Sequence, residues 1–136
     1  MRRGYVLEDN LNKVGEYLES QGIHMHKNHA QRTQQGVYVK GEPFDYEVFS
    51  HGKVHCFDAK ECQTGRWNLS NAKPQQVNAL KMCKNNGTES YFLVWFVKTN
   101  EFIRFDVDVV ISALSSGKSS LTPKEGVKWQ WTELAT

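Results

Sequence analysis

An α/β fold, with a mixed central sheet flanked by helices, is predicted by three observations. Apolar residues recur at helical spacing in two stretches, over residues 7–20 and again after Pro74. Between them, residues 46–50 and 54–60 are rich in β-branched and aromatic side chains and flank His51-Gly52, a two-residue turn of the kind that joins antiparallel strands. Residues 90–98, SYFLVWFVK, are almost continuously apolar, as a strand covered on both faces must be, and too short to cross a membrane. Helices alternating with strands place the chain in the layered α/β class.

Taken in order, Leu7, Leu11, Val14 and Leu18 form one stripe of an amphipathic helix that Gly22 stops, with Glu8 and Asp9 in its first turn near the positive end of the dipole. Arg2 and Arg3 precede it as a basic arm. Residues 23–29, IHMHKNH, read as a short strand entering a loop. His24, His26 and His29 share its spacing, but no cysteine or acid at zinc-site spacing completes a set, so they are read as facing solvent or DNA. The polar stretch 30–43 reads as a loop or irregular edge hairpin. After the hairpin, residues 63–73 read as a polar loop carrying Arg66 and Trp67. Pro74 fits the first turn of a second helix, with Val77, Leu80, Met82 and Cys83 as its partly buried positions and Asn85-Asn86-Gly87 as its exit. Beyond the central strand come a further strand, FIRFDV, and a short helix, DVVISAL. The SGKSS run resembles a phosphate loop, yet position 112 is Ser112 where that motif needs glycine, and the run reads as a linker. The tail VKWQWTEL alternates and reads as an edge strand.

The 136 residues, 39% of them hydrophobic, suffice for one core and one domain over 1–136. A formal net charge of +2 neither demands nor forbids a nucleic-acid partner. Cys56, Cys62 and Cys83 make an odd count without a CxxC pair, which argues against a disulfide framework or zinc ribbon and for reduced thiols. MRRGYVLEDN has no apolar run behind its basic residues, so a soluble, unexported protein without a membrane partner is expected. No GxGxxG, HExxH or GxSxG signature is present.

The hairpin carries the chemistry. If Ser50 pairs with Lys53, Glu47 faces Cys56, Asp45 lies opposite Asp58, and Lys60 leaves the sheet on the face of Asp58. Two carboxylates about 5 Å apart repel by roughly 3 kcal/mol at an effective dielectric near 20. A divalent cation bound by hard oxygen ligands would relieve that repulsion, with the lysine beside it for a substrate anion or a water. The same residues also fit an exposed hairpin whose acids face solvent, and a three-residue turn would shift the register by one and part the acids.

Pro43, Asp45 and the Asp58-Ala59-Lys60 triplet resemble the PD-(D/E)XK nuclease pattern, an acid on one strand followed by acid-x-lysine on the next. Three blocks in order sharpen this: RGYVLEDNLNKVGEYLESQGI with HKN behind it, FDAKEC, and LSNAKPQQVNALK leading into YFLVWF. Together they are similar to the RecU family of Holliday junction resolvases, as far as about residue 106. The resemblance implies a restriction-endonuclease-like core, with Glu8, Asp45 and Asp58 as the acidic, metal-holding set and Lys60 as the catalytic lysine. Gln76 matches the glutamine that opens the family's following helix. Asp58 stands where the family more often has glutamate, which brings the cation closer to the strand. Where RecU proteins carry a long stalk, residues 27–43 are a short polar segment, so a compact, phage-type form is implied.

The implied activity is hydrolysis of DNA phosphodiesters at four-way junctions in recombination and repair. It needs Mg²⁺, or Mn²⁺ in its place, and is carried out by a homodimer in a bacterial or phage-infected cytoplasm. Arg2, Arg3, Lys27, Arg32, Arg66 and Lys73 flank the blocks and are the candidate phosphate contacts. Two alternatives remain open: an endonuclease of this superfamily acting on duplex or other branched DNA, and a non-catalytic DNA-binding relative with the same fold.

Overall fold

A computed structural model describes residues 5–28, 31–32, 38–39 and 44–135. The first helix, α1 (Tyr5–Ser20), leads through a turn at Gly22 into β1 (His24–Lys27). Two short strands, β2 (Gln31–Arg32) and β3 (Tyr38–Val39), pair antiparallel in a small sheet of their own. The predicted hairpin follows as β4 (Tyr46–Ser50) and β5 (Lys53–Cys62), joined at His51 and Gly52, whose φ angles of 48° and 81° are those of a tight hairpin turn. Then come β6 (Trp67–Asn68), α2 (Pro74–Asn85), β7 (Glu89–Phe96), β8 (Glu101–Asp106) and α3 (Val107–Ser115). The chain closes with β9 (Ser120–Leu121), β10 (Val127–Lys128) and a 3-10 segment, Trp131–Ala135.

Six strands form the main sheet in the order β1-β4-β5-β7-β8-β10. Every neighbouring pair in it is antiparallel except β5 and β7, which run parallel because α2 carries the chain across between them. The sheet is therefore mixed, as predicted, and β7 is an interior strand with Tyr91–Val94 fully covered.

Alternation along the strands splits the apolar side chains into two cores. Phe57, Tyr91 and Leu93 pack beneath Leu7, Leu11 and Leu18 of α1, joined by Trp129 and Leu134. Cys56, Phe92 and Val94 face the other way, under Val77 and Leu80 of α2 and Val107 and Val110 of α3. The helix α3 starts where Asp106 accepts a hydrogen bond from the Asp108 N–H at 2.9 Å.

Four local expectations are corrected. Residues 63–73 are not merely polar loop: Trp67 is 1% exposed, and β6 pairs with β9 through contacts between Trp67 and Leu121, more than fifty positions apart. The SGKSS run is no linker, since Gly117 and Lys118 donate back to Leu114 and Ala113 to end α3, and Ser120 already belongs to β9. Met82 is 66% exposed, because α2 turns only Val77, Leu80 and the partly buried Ala79 and Cys83 to the core. The tail contributes only Val127–Lys128 to the sheet edge before Trp129 and Leu134 fold under α1. Among the described residues no helix is long and apolar enough to cross a membrane.

Candidate active site

The hairpin register is Ser50↔Lys53, Phe49↔Val54, Val48↔His55, Glu47↔Cys56 and Tyr46↔Phe57. One step further, Asp45 comes level with Asp58. Its Oδ2 accepts a hydrogen bond from the Ala59 N–H at 3.0 Å, so the carboxylate reaches across to β5. Phe57 and Ala59 point into the α1 core, which turns Asp58 and Lys60 toward α2.

There Lys60 Nζ stands 2.9 Å from Asp58 Oδ2 and donates to Gln76 Oε1 at 3.1 Å. Gln76 is the third residue of α2, and the same Oε1 accepts from the Lys73 N–H at 3.2 Å. The glutamine thus caps its own helix and steadies the lysine with one atom. The Asp58 side chain is only 3% exposed. Burial first, and then the adjacent Asp45 carboxylate, push its pKa from 3.8 up to about 7, against the opposing pull of Lys60.

Glu8, in the first turn of α1, forms an ion pair with Lys27 at the end of β1. Glu8 arrives from the opposite side of the sheet but at the same end. The phenol of Tyr46 is raised well above its usual range by burial and then by Asp45, Glu8 and Asp58 in turn. One ring therefore feels all three acids. Among the described residues, however, no three His, Cys, Asp or Glu side chains stand close enough together to hold a metal ion. Asp45 and Asp58 are the pair brought together, and Glu8 remains with Lys27.

A divalent cation fits this pair. Asp45 lies close enough to raise the Asp58 pKa, Asp58 is buried, and both offer hard oxygen atoms. A cation would replace the proton that burial favours on Asp58.

Of the candidate phosphate contacts, Arg66 Nη1 donates to Ser120 Oγ at 3.1 Å and Lys73 Nζ to the Ser70 carbonyl at 3.3 Å. Lys73 stands at the opening of α2, whereas Arg66 is tied to β9. Lys27 is committed to Glu8. Arg2, Arg3, Pro43, His29 and the side chain of Arg32 lie outside the described residues. His24 is within 3.4 Å of Glu19 and stacks on Phe49 and His26, consistent with a surface role. Two residues at the site were missed from sequence, Tyr46 and Asn28. Tyr46 reads as an ordinary strand aromatic, and only the strand pairing carries Asn28 to Asp45.

The family model described as "RecU: Recombination protein U" matches residues 2–135. The Holliday junction resolvase RecU of Pediococcus pentosaceus is 28% identical, over 74% of this chain and 58% of that protein. Its namesake from Ligilactobacillus salivarius is 26% identical, over 79% and 58%. The chain thus spans less than two thirds of the length of these relatives. The structure of Hjc, a Holliday junction resolvase from the archaeal hyperthermophile Archaeoglobus fulgidus, superposes with a TM-score of 0.57 at 15% identity, over 92% of this chain and 96% of that one. That likeness gives the fold, a restriction-endonuclease-like core, and the match across residues 2–135 gives the family: the chain belongs to the RecU, or recombination protein U, family.

Proposed function

We propose that this protein is a divalent-cation-dependent endodeoxyribonuclease that resolves four-way DNA junctions by hydrolysing phosphodiester bonds. The observation that carries the reading is the buried Asp58 held between Asp45 and Lys60. Asp45 and Asp58 would hold the cation, which supplies positive charge to the scissile phosphate and lowers the pKa of an attacking water. Mg²⁺ suits the oxygen donors, with Mn²⁺ as a working substitute. Lys60, anchored by Gln76, presents its ammonium where charge develops on the phosphate and is placed to hold or pass a proton. Glu8 assists from the far side of the sheet, where Tyr46 in the α1 core feels the charge of all three acids. Lys73, at the opening of α2, and Arg66, together with Arg2, Arg3, Lys27 and Arg32, guide the DNA backbone.

A junction offers two equivalent strands, so a two-fold homodimer presenting two such sites accounts for paired cuts. The enzyme would act in the cytoplasm of a bacterium or a phage-infected cell. The test is cleavage of a labelled four-way junction, against a linear duplex of the same sequence, with Mg²⁺ present. The parent should cut the junction in preference. Asp58→Asn should lose about a hundredfold or more in rate while binding the junction undiminished. Equal cutting by that variant would remove Asp58 from the site, and preferred cutting of the duplex would remove the junction as substrate.

A further inference from the structure

The ladder between β1 and β4 ends at the pair Lys27↔Tyr46. One residue on, Asn28 continues it in two ways. Its N–H donates to the Asp45 carbonyl at 2.7 Å, and its side-chain Nδ2 donates to the Phe44 carbonyl at 2.9 Å. A single residue thereby takes two successive carbonyls, its side chain standing in for the strand that has run out.

The chain needs this hold because it does something irregular there. Phe44 lies in the core under α2 and α3, whereas Tyr46 lies in the core under α1. Residues two apart in a strand share a face, so regular alternation is broken at Asp45. There the Asp45 side chain accepts from the Ala59 N–H and acts on the Asp58 carboxyl. Asp45 is thus pinned twice, through its side chain by β5 and through its backbone by Asn28. Asn28 is 8% exposed, and its Oδ1 is buried without a partner among the described residues. An unmet buried acceptor is unfavourable, so what this position uses is the donor half of the amide.

We infer that Asn28 is a positioning residue that holds the Asp45 carboxylate against Asp58 and so sets the cation affinity of the pair. The inference rests on the nuclease reading of that pair. Without the Nδ2 bond the 44–45 segment, which lies beyond the end of β4, loses a tether, and the Asp45 carboxylate is held less firmly against its partner.

The experiment compares full-length parent, Asn28→Ala and the isosteric Asn28→Asp, which fills the same space without the donor. Mg²⁺ binding is followed by calorimetry without DNA, and single-turnover junction cleavage is followed across Mg²⁺ concentrations. Both variants should need about 10–100-fold more Mg²⁺ for half-saturation. Their cleavage rate should recover as Mg²⁺ is raised, and junction binding in EDTA should match the parent. A residue important only for folding would lower the melting temperature and leave half-saturation in place. Unchanged half-saturation in variants with parental circular dichroism overturns the role of Asn28 alone. A parent that binds no Mg²⁺, or binds it equally well as Asp58→Asn, overturns the nuclease reading and this inference with it.

Discussion

At the scale of single residues, Asp58 decides how the site responds to pH. Its folded pKa of about 7 lies above the ordinary 3.8, so between those values the native state keeps a proton that the unfolded chain has released. The cation-free protein therefore loses stability as pH rises from about 4 through 7, and the loss levels off above that. Asp58→Asn mimics the protonated acid and lacks this contribution. Melts in EDTA at pH 5 and pH 8 should show a larger fall for the parent than for the variant. The same proton opposes the cation, so apparent Mg²⁺ affinity should climb with pH below about 7 and flatten above it. Calorimetry at pH 6 in buffers of different ionisation enthalpy would register close to one proton released. A pH-independent affinity would mean that Asp58 is already ionised. The placement of Asp58 and Lys60 on one face was legible in the sequence, because alternation needs only local spacing. The burial that moves the pKa was not, since it depends on α2 closing over β5.

Among elements, the hairpin was the most legible, because its register is fixed by two backbone positions that the sequence names. His51 and Gly52 both take positive φ, and every pair from Ser50↔Lys53 outward follows. The elements that sequence misjudged are those completed by distant partners. Trp67 is buried because β9 arrives beside it, and the tail leaves the sheet because Trp129 and Leu134 find the α1 core. Two glycines separate local from non-local control. At Gly52 an added Cβ meets nothing within 4 Å, but φ of 81° strains any L-residue, so Gly52→Ala should cost about 1–2 kcal/mol. At Gly126 φ is −119°, which any residue adopts. There an added Cβ would come within 2.5 Å of Ile103 Cγ2 and 2.8 Å of the Arg104 carbonyl oxygen. Gly126→Ala should cost about 1–3 kcal/mol by pushing β10 from β8. Urea titrations measure both, and the change in Trp fluorescence that accompanies loss of β10 should occur only in the Gly126 variant.

For the whole molecule, the consequence of one sheet serving two cores is cooperativity. Phe57 and Leu93 belong to the α1 core while Cys56 and Phe92, their sequence neighbours, belong to the other, so neither core opens without disturbing the strands that hold the second. Leu11→Ala and Leu80→Ala, on opposite faces, should each destabilise by about 2–5 kcal/mol, and each should shift the entire transition. The tryptophans offer a direct check. Trp67→Phe removes the one tryptophan of the α2 and α3 core and leaves Trp95, Trp129 and Trp131, all on the α1 side. Mg²⁺ at a hundred times its dissociation constant stabilises the native state by about 2.7 kcal/mol, which should raise the melting temperature by roughly 10 °C in a domain of this size. The cation would bind on the α2 side of the sheet, yet the α1-side fluorescence of Trp67→Phe should move by the same amount as the far-ultraviolet circular dichroism. If fluorescence stays put while dichroism shifts, the two cores unfold separately. Glu8 would then no longer be held in place by the strands that carry Asp45 and Asp58.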